Sequence, residues 1–155
     1  MSRTLWVSVC IVAISGFVAD EASRAQSAPR ADVVAVRVDS RSGSYRFLVS
    51  IRSPDVDCSR YASWWEILRA DGTLAYRRIL MHSHPDEQPF SRAGGPVTAA
   101  PDEMLVVRAH LHPHGYGGAM FRGSIAGGFE PWKDAPADFA PDLAGVPPLP
   151  KTCWH

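Results

Sequence analysis

Residues 45–52 read Tyr-Arg-Phe-Leu-Val-Ser-Ile-Arg. Tyr45, Phe47, Val49 and Ile51 alternate with Arg46, Leu48, Ser50 and Arg52. A period of two places the first set on one face of an extended chain, and aromatic and β-branched side chains suit a half-buried sheet surface. The stretch therefore reads as a strand with one face in a core. Upstream, Val34, Val36 and Val38 alternate with Ala35, Arg37 and Asp39, and Ser42-Gly43-Ser44 supplies the turn between the two runs. Ser53-Pro54-Asp55 ends the second run.

The pattern continues downstream. Ser63 to Arg69 predicts a third strand, with Trp64 and Trp65 on opposite faces. Asp71-Gly72 is a hairpin signal, and Thr73 to His82 predicts the fourth strand. Residues 83–95, broken by Pro85, Pro89 and Gly94-Gly95, read as a long connection. Pro96 to Ala100 predicts a short fifth strand. Glu103 to Leu111 predicts the sixth, with Leu105, Val107, Ala109 and Leu111 sharing a face. After Gly115-Tyr116-Gly117-Gly118, Ala119 to Ala126 predicts the last. About seven short strands between turn signals predict an all-β antiparallel sandwich. Over residues 32–126 the count and spacing resemble an immunoglobulin or fibronectin type III arrangement, a likeness that implies architecture and no function. The disulfide expected between the two sheets of an immunoglobulin domain is missing.

Residues 127–155 carry Pro131, Pro136, Pro141, Pro147, Pro148 and Pro150. Proline removes donors and fixes φ, so no regular strand or long helix is expected there. Phe129, Trp132, Phe139, Leu143 and Trp154 nonetheless need cover. The segment reads as an extended Pro-rich C-terminal strap packed on a sandwich domain spanning residues 26–126.

The chain has 155 residues, 46% of them hydrophobic, with 16 basic and 16 acidic side chains. A zero formal charge speaks against a nucleic-acid partner or an anionic membrane surface, both of which favour a basic excess. Residues 1–25 have the layout of a secretory signal peptide: Arg3, an apolar run from Leu5 to Val18, then Ser23 and Ala25 as the small residues before a cleavage point. The run is too short to span a bilayer, which takes about 20 residues, so no stable membrane insertion is expected after cleavage. Lipid attachment at Cys10 is disfavoured by the bulky Val9 before it and by the apolar run continuing past it. The chain reads as secreted or periplasmic. Cys58 and Cys153 then remain, and two cysteines in an exported chain predict one disulfide.

All six histidines follow residue 81. His82 and His84 project together from the end of the fourth strand, and His110 and His112 from the end of the sixth, opposite the Leu105 face. Two His-x-His pairs can chelate copper or zinc, with Glu87 as a further ligand or orienting group. Met81, Met104 and Met120 would add soft sulfur donors for copper. His82-Ser83-His84 with Glu87 and Gly94 also resembles part of the first motif of the cupin family. That resemblance implies a β-barrel holding a metal through two histidines, a glutamate and a later histidine, His110 or His112. It departs from the motif in the short spacing from His84 to Glu87, and in Tyr76 where a leading glycine belongs.

No nucleophile elbow, zincin helix, phosphate-cradling loop or Cys-x-x-Cys is present, and Ser83 between two histidines points away from both. Trp64, Trp65, Tyr116 and Phe90 are the candidates for a partner surface, the alternative for the tryptophans being core. Arg77-Arg78 and Arg92 read as solvated, and Arg108 as the partner of Glu66 or Glu103. The expectation is an exported, non-catalytic binding module for a protein or small ligand. The alternatives are a periplasmic copper or zinc protein and a cupin-like metal protein.

Overall fold

The computed structural model describes residues 28–41 and 43–154; the expected signal peptide lies outside them. Eight strands follow in order: β1 (Asp32–Arg41), β2 (Ser44–Arg52), β3 (Tyr61–Arg69), β4 (Leu74–Ile79), β5 (Phe90–Val97), β6 (Leu105–His112), β7 (Phe121–Ser124) and β8 (Gly128–Pro131). They form two antiparallel sheets, three-stranded β1-β2-β5 and five-stranded β4-β3-β6-β7-β8. The fold is an all-β sandwich. The chain switches sheets between β2 and β3, β4 and β5, and β5 and β6. No helix among the described residues is long and apolar enough to cross a membrane.

The alternation in β2 has the expected consequence. Phe47, Val49 and Ile51 are buried and meet Trp65, Ile67, Val107 and Leu111 of the facing sheet. Leu105, Val107, Ala109 and Leu111 do share the inner face of β6. Trp65 points inward, whereas Trp64 joins the outer face.

Two strands differ from the expectation. β5 occupies Phe90–Val97, most of it in the stretch read as connection. Gly94 and Pro96 look like breakers, but β5 is an edge strand, where a proline costs no ladder bond. Gly94 is there for space: a Cβ would stand 2.7 Å from the Trp65 ring. The last expected strand, Ala119 to Ala126, is instead a hairpin of β7 and β8, and β8 lies inside the segment read as strap.

Beyond β8 the chain crosses the outer face of the five-stranded sheet. Trp132, Ala135, Phe139, Ala140 and Leu143 pack on Leu68, Val106 and Met120. A single 3-10 turn follows at Pro141–Gly145. Cys153 then bonds to Cys58 in the β2–β3 connection, 95 residues away. With one face on the core and the other under the tail, β3 is buried from Tyr61 to Leu68.

Candidate functional site: a cavity under the C-terminal strap

Register lines up the outer face in rows. Glu66 stands between Arg77 and Arg108, and Trp64 between Ile79 and His110. The Glu66 carboxylate accepts from Arg77 Nε at 2.7 Å and from Arg108 Nε at 2.7 Å. Glu66 is 0% exposed, Arg77 6% and Arg108 1%. A buried charge needs partners for all its polar atoms, and the tail supplies them. Arg108 donates to the Phe139 and Ala140 carbonyls, and Arg77 to those of Leu143, Val146 and Pro148. Arg108 also lies 3.5 Å from the Tyr116 ring centroid, and Arg77 4.6 Å from that of Trp64. Arg77 is therefore buried structure and not a solvated edge residue, whereas Arg78 is exposed. Glu66 is the partner Arg108 takes; Glu103 pairs with Arg69.

Past Val146 the strap is held at one end by the Arg77 clamp and at the other by the disulfide and by the Trp154 N–H, which donates to the Met81 carbonyl at 2.6 Å. Between these ends it forms one side of a cavity of about 440 Å³ that is open to solvent. The floor holds Tyr61, Ser63, Trp64, His110 and His112, and the roof Leu149, Pro150, Lys151 and Thr152. The His110 ring stacks on Trp64 at 3.7 Å between centroids, and its Nδ1 lies 2.8 Å from the Ser63 hydroxyl. Burial, and then the charges of Arg77, His112 and Arg108, push the His110 pKa down to about 4. The ring is neutral at pH 7. Burial raises the Tyr116 hydroxyl to about 12.

The two histidine pairs do not build a common centre. His110 and His112 belong to the outer face of β6. His84 instead stacks on Phe90 of the opposite sheet at 3.9 Å, with exposed His82 tilted against it at 4.4 Å. His84 is 4% exposed, and neither ring nitrogen has a hydrogen-bond partner. Burial lowers its pKa, and buried Asp55, 3.7 Å from Nδ1, opposes the shift. Glu87 is committed to Arg92 at 2.9 Å. Among the described residues no group of three or more His, Cys, Asp or Glu side chains is placed to hold a metal ion. The four-histidine copper or zinc site expected from spacing is thus not assembled: His110 stacks on Trp64 of the outer face, and His84 on Phe90 of the other sheet. Two separate sheets likewise replace the barrel that the cupin resemblance implied.

The expected partner surface is also corrected. Trp64, Trp65 and Phe90 are buried. Both faces of Trp64 are occupied, one by His110 and the other by Arg77. Tyr116, half-buried, covers Arg108. Tyr61 reads in the sequence only as an addition to an aromatic platform; the residues that sequence reasoning missed are Ser63, Lys151 and Thr152. Their only signal was the cysteine pair, which ties the segment containing Lys151 and Thr152 to the start of β3.

No family model matches the chain, and no solved structure matches it. Over 89 residues it is 35% identical to a protein of Halomicrobium mukohataei described as "Putative lipoprotein". The match takes in 57% of this chain and 44% of that relative, so the chain spans less than half of the relative's length.

Proposed function

We propose that this chain is an exported, non-catalytic binding module of the cell envelope, and that the cavity under the strap is its binding site. Export is supported by the signal-peptide layout of residues 1–25, by the Cys58–Cys153 bond, which suits an oxidising compartment, and by the relative described as a lipoprotein. The observation that carries the binding reading is the double anchoring of the strap. A stiff Pro-rich segment held at both ends roofs an aromatic-floored cavity of a size typical for small-ligand sites.

The non-catalytic reading rests on His110. It is the base nearest the Ser63 hydroxyl, but protonating it would place an imidazolium beside two buried guanidinium groups. Among the described residues no carboxylate lines the cavity to orient or stabilise that imidazolium, as a triad requires.

Two measurements test the proposal. Mass spectrometry of the protein recovered from the envelope should show loss of residues 1–25, no lipid and one intact disulfide; retention of the leader or reduced cysteines in the exported form refutes the export reading. A small-molecule panel screened by thermal shift should raise the Tm of the wild type but not of Thr152→Trp, which fills the cavity mouth. Equal shifts in both proteins, or none in either, refute the site.

A further inference from the structure

The lining of the cavity is one-sided in charge. Among the described residues it contains Lys151 and no aspartate or glutamate; His110 and His112 also line it, His110 uncharged at pH 7. Behind the floor, two guanidinium groups face one carboxylate, leaving one net positive charge in the Arg77–Glu66–Arg108 row. Lys151 is exposed at the roof and makes no ion pair among the described residues. Acidic groups behind the lining are engaged elsewhere: Glu66 by Arg77 and Arg108, Asp55 by the Ser53 hydroxyl, the Ala62 N–H and the His84 N–H, and Asp57 by the Ser59 N–H and hydroxyl. The apolar part of the lining is Tyr61 and the Trp64–His110 stack on one side, Leu149 and Pro150 on the other.

We infer that the cavity takes small organic anions, a planar apolar body lying between the aromatic floor and the proline roof with its carboxylate at the Lys151 rim. A cation meets positive charge from rim and floor, and a neutral analogue gains only the apolar contacts. Ser63 and Thr152 supply hydroxyl donors for a carboxylate oxygen. Burial is the main cause of the lowered His110 pKa, and the Arg77, His112 and Arg108 charges add to it in the sense that disfavours a cation there.

The inference rests on the cavity being the binding site, and the experiment separates the two. The full mature chain is titrated with 2-naphthoate, 2-naphthamide and 2-naphthylmethylammonium, three probes of one shape and different charge. The backbone amides of Ser63, Trp64 and His110 are followed by NMR. Naphthoate should shift them and bind about fivefold more tightly than the amide, the scale of one partly exposed ion pair, with the ammonium weakest. Lys151→Glu, a solvent-exposed change that leaves the floor intact, should abolish the preference for the anion, while Lys133→Glu, also exposed, should keep it. Equal affinity for all three probes, or an unchanged preference in Lys151→Glu, overturns the anion inference and leaves the binding site standing. No shift at the floor residues with any probe overturns both.

Discussion

Acidification should unfold this protein partly through His110. The ring has an ordinary pKa of 6.5 and sits at about 4 in the folded chain. A group whose folded pKa is lowered binds protons more readily when unfolded, so its contribution is present above about pH 6.5 and is lost as pH falls towards 4. The whole interval would be worth roughly 3 kcal/mol at 1.36 kcal/mol per pH unit. The cavity side of the ring reaches solvent, so about 2 kcal/mol by about pH 4.5 is the figure to test. His110→Phe removes the titration and keeps a ring to stack on Trp64; Ser63 retains the His110 carbonyl at 3.4 Å as an acceptor for its hydroxyl. Urea unfolding followed by tryptophan fluorescence, with the disulfide intact, should be run on both proteins from about pH 7 to about pH 4.5. Carboxylates and His84 act in both and cancel in the difference. The wild type should lose about 2 kcal/mol more than the variant across the window. Parallel curves would refute the argument, since an imidazole buried against Trp64 and close to the Arg77 and Arg108 charges cannot titrate at its ordinary pKa.

Glu66→Gln should destabilise the fold by about 3–5 kcal/mol in equilibrium unfolding, because it leaves two buried guanidinium groups without their counter-charge. A double change of Arg77 and Glu66 to Met should cost at least as much as Glu66→Gln, because Arg108 stays buried without a counter-charge and the Leu143, Val146 and Pro148 carbonyls lose their donor; a smaller cost would show that the charge imbalance outweighs the carbonyls. Gly94→Ala should cost about 1–3 kcal/mol, its new methyl standing 2.7 Å from the Trp65 ring, whereas Gly43→Ala meets no atom and suffers only from its φ of 80°. Replacing Cys58 and Cys153 by Ser should cost about 2–4 kcal/mol and open the peptide bonds of residues 149–153 to limited proteolysis, with the tail up to Pro148 still held by Arg77 and Arg108. Unchanged digestion would show that the strap does not need its second anchor.

The inner half of the fold is legible from the sequence because it obeys a period of two. Phe47, Val49 and Ile51, and Leu105 to Leu111 on β6, announce their face by alternation. β3 does not, since Trp64, Glu66 and Leu68 are buried as completely as Trp65 and Ile67. β5 is hidden by Gly94, Gly95 and Pro96, which mark turns in isolation and here serve ring packing and an edge position. The histidine pairs show the limit of spacing arguments. Both His-x-His steps put two side chains on one face locally, but local geometry does not say which side of a sheet that face becomes, and His84 and His110 end on different sides. The cavity needs a third kind of information, the path of the tail, of which the sequence offers only the two cysteines.

The composition of the tail and the charges beneath it are complementary. A Pro-rich segment has fewer N–H donors than carbonyl acceptors and cannot close its acceptors in a ladder. Laid over an apolar sheet face it would bury carbonyls without partners, at a cost of about 1–3 kcal/mol each. The outer face of β4 and β6 instead offers two arginines, each with more donors than one carboxylate can use. Five tail carbonyls take the surplus. Glu66 is what allows two guanidinium groups to be buried side by side, yet it cancels only one of them. The arrangement that docks the tail therefore leaves a positive charge under the cavity floor, so the strap's attachment and the ligand preference of the space beneath it have one physical origin.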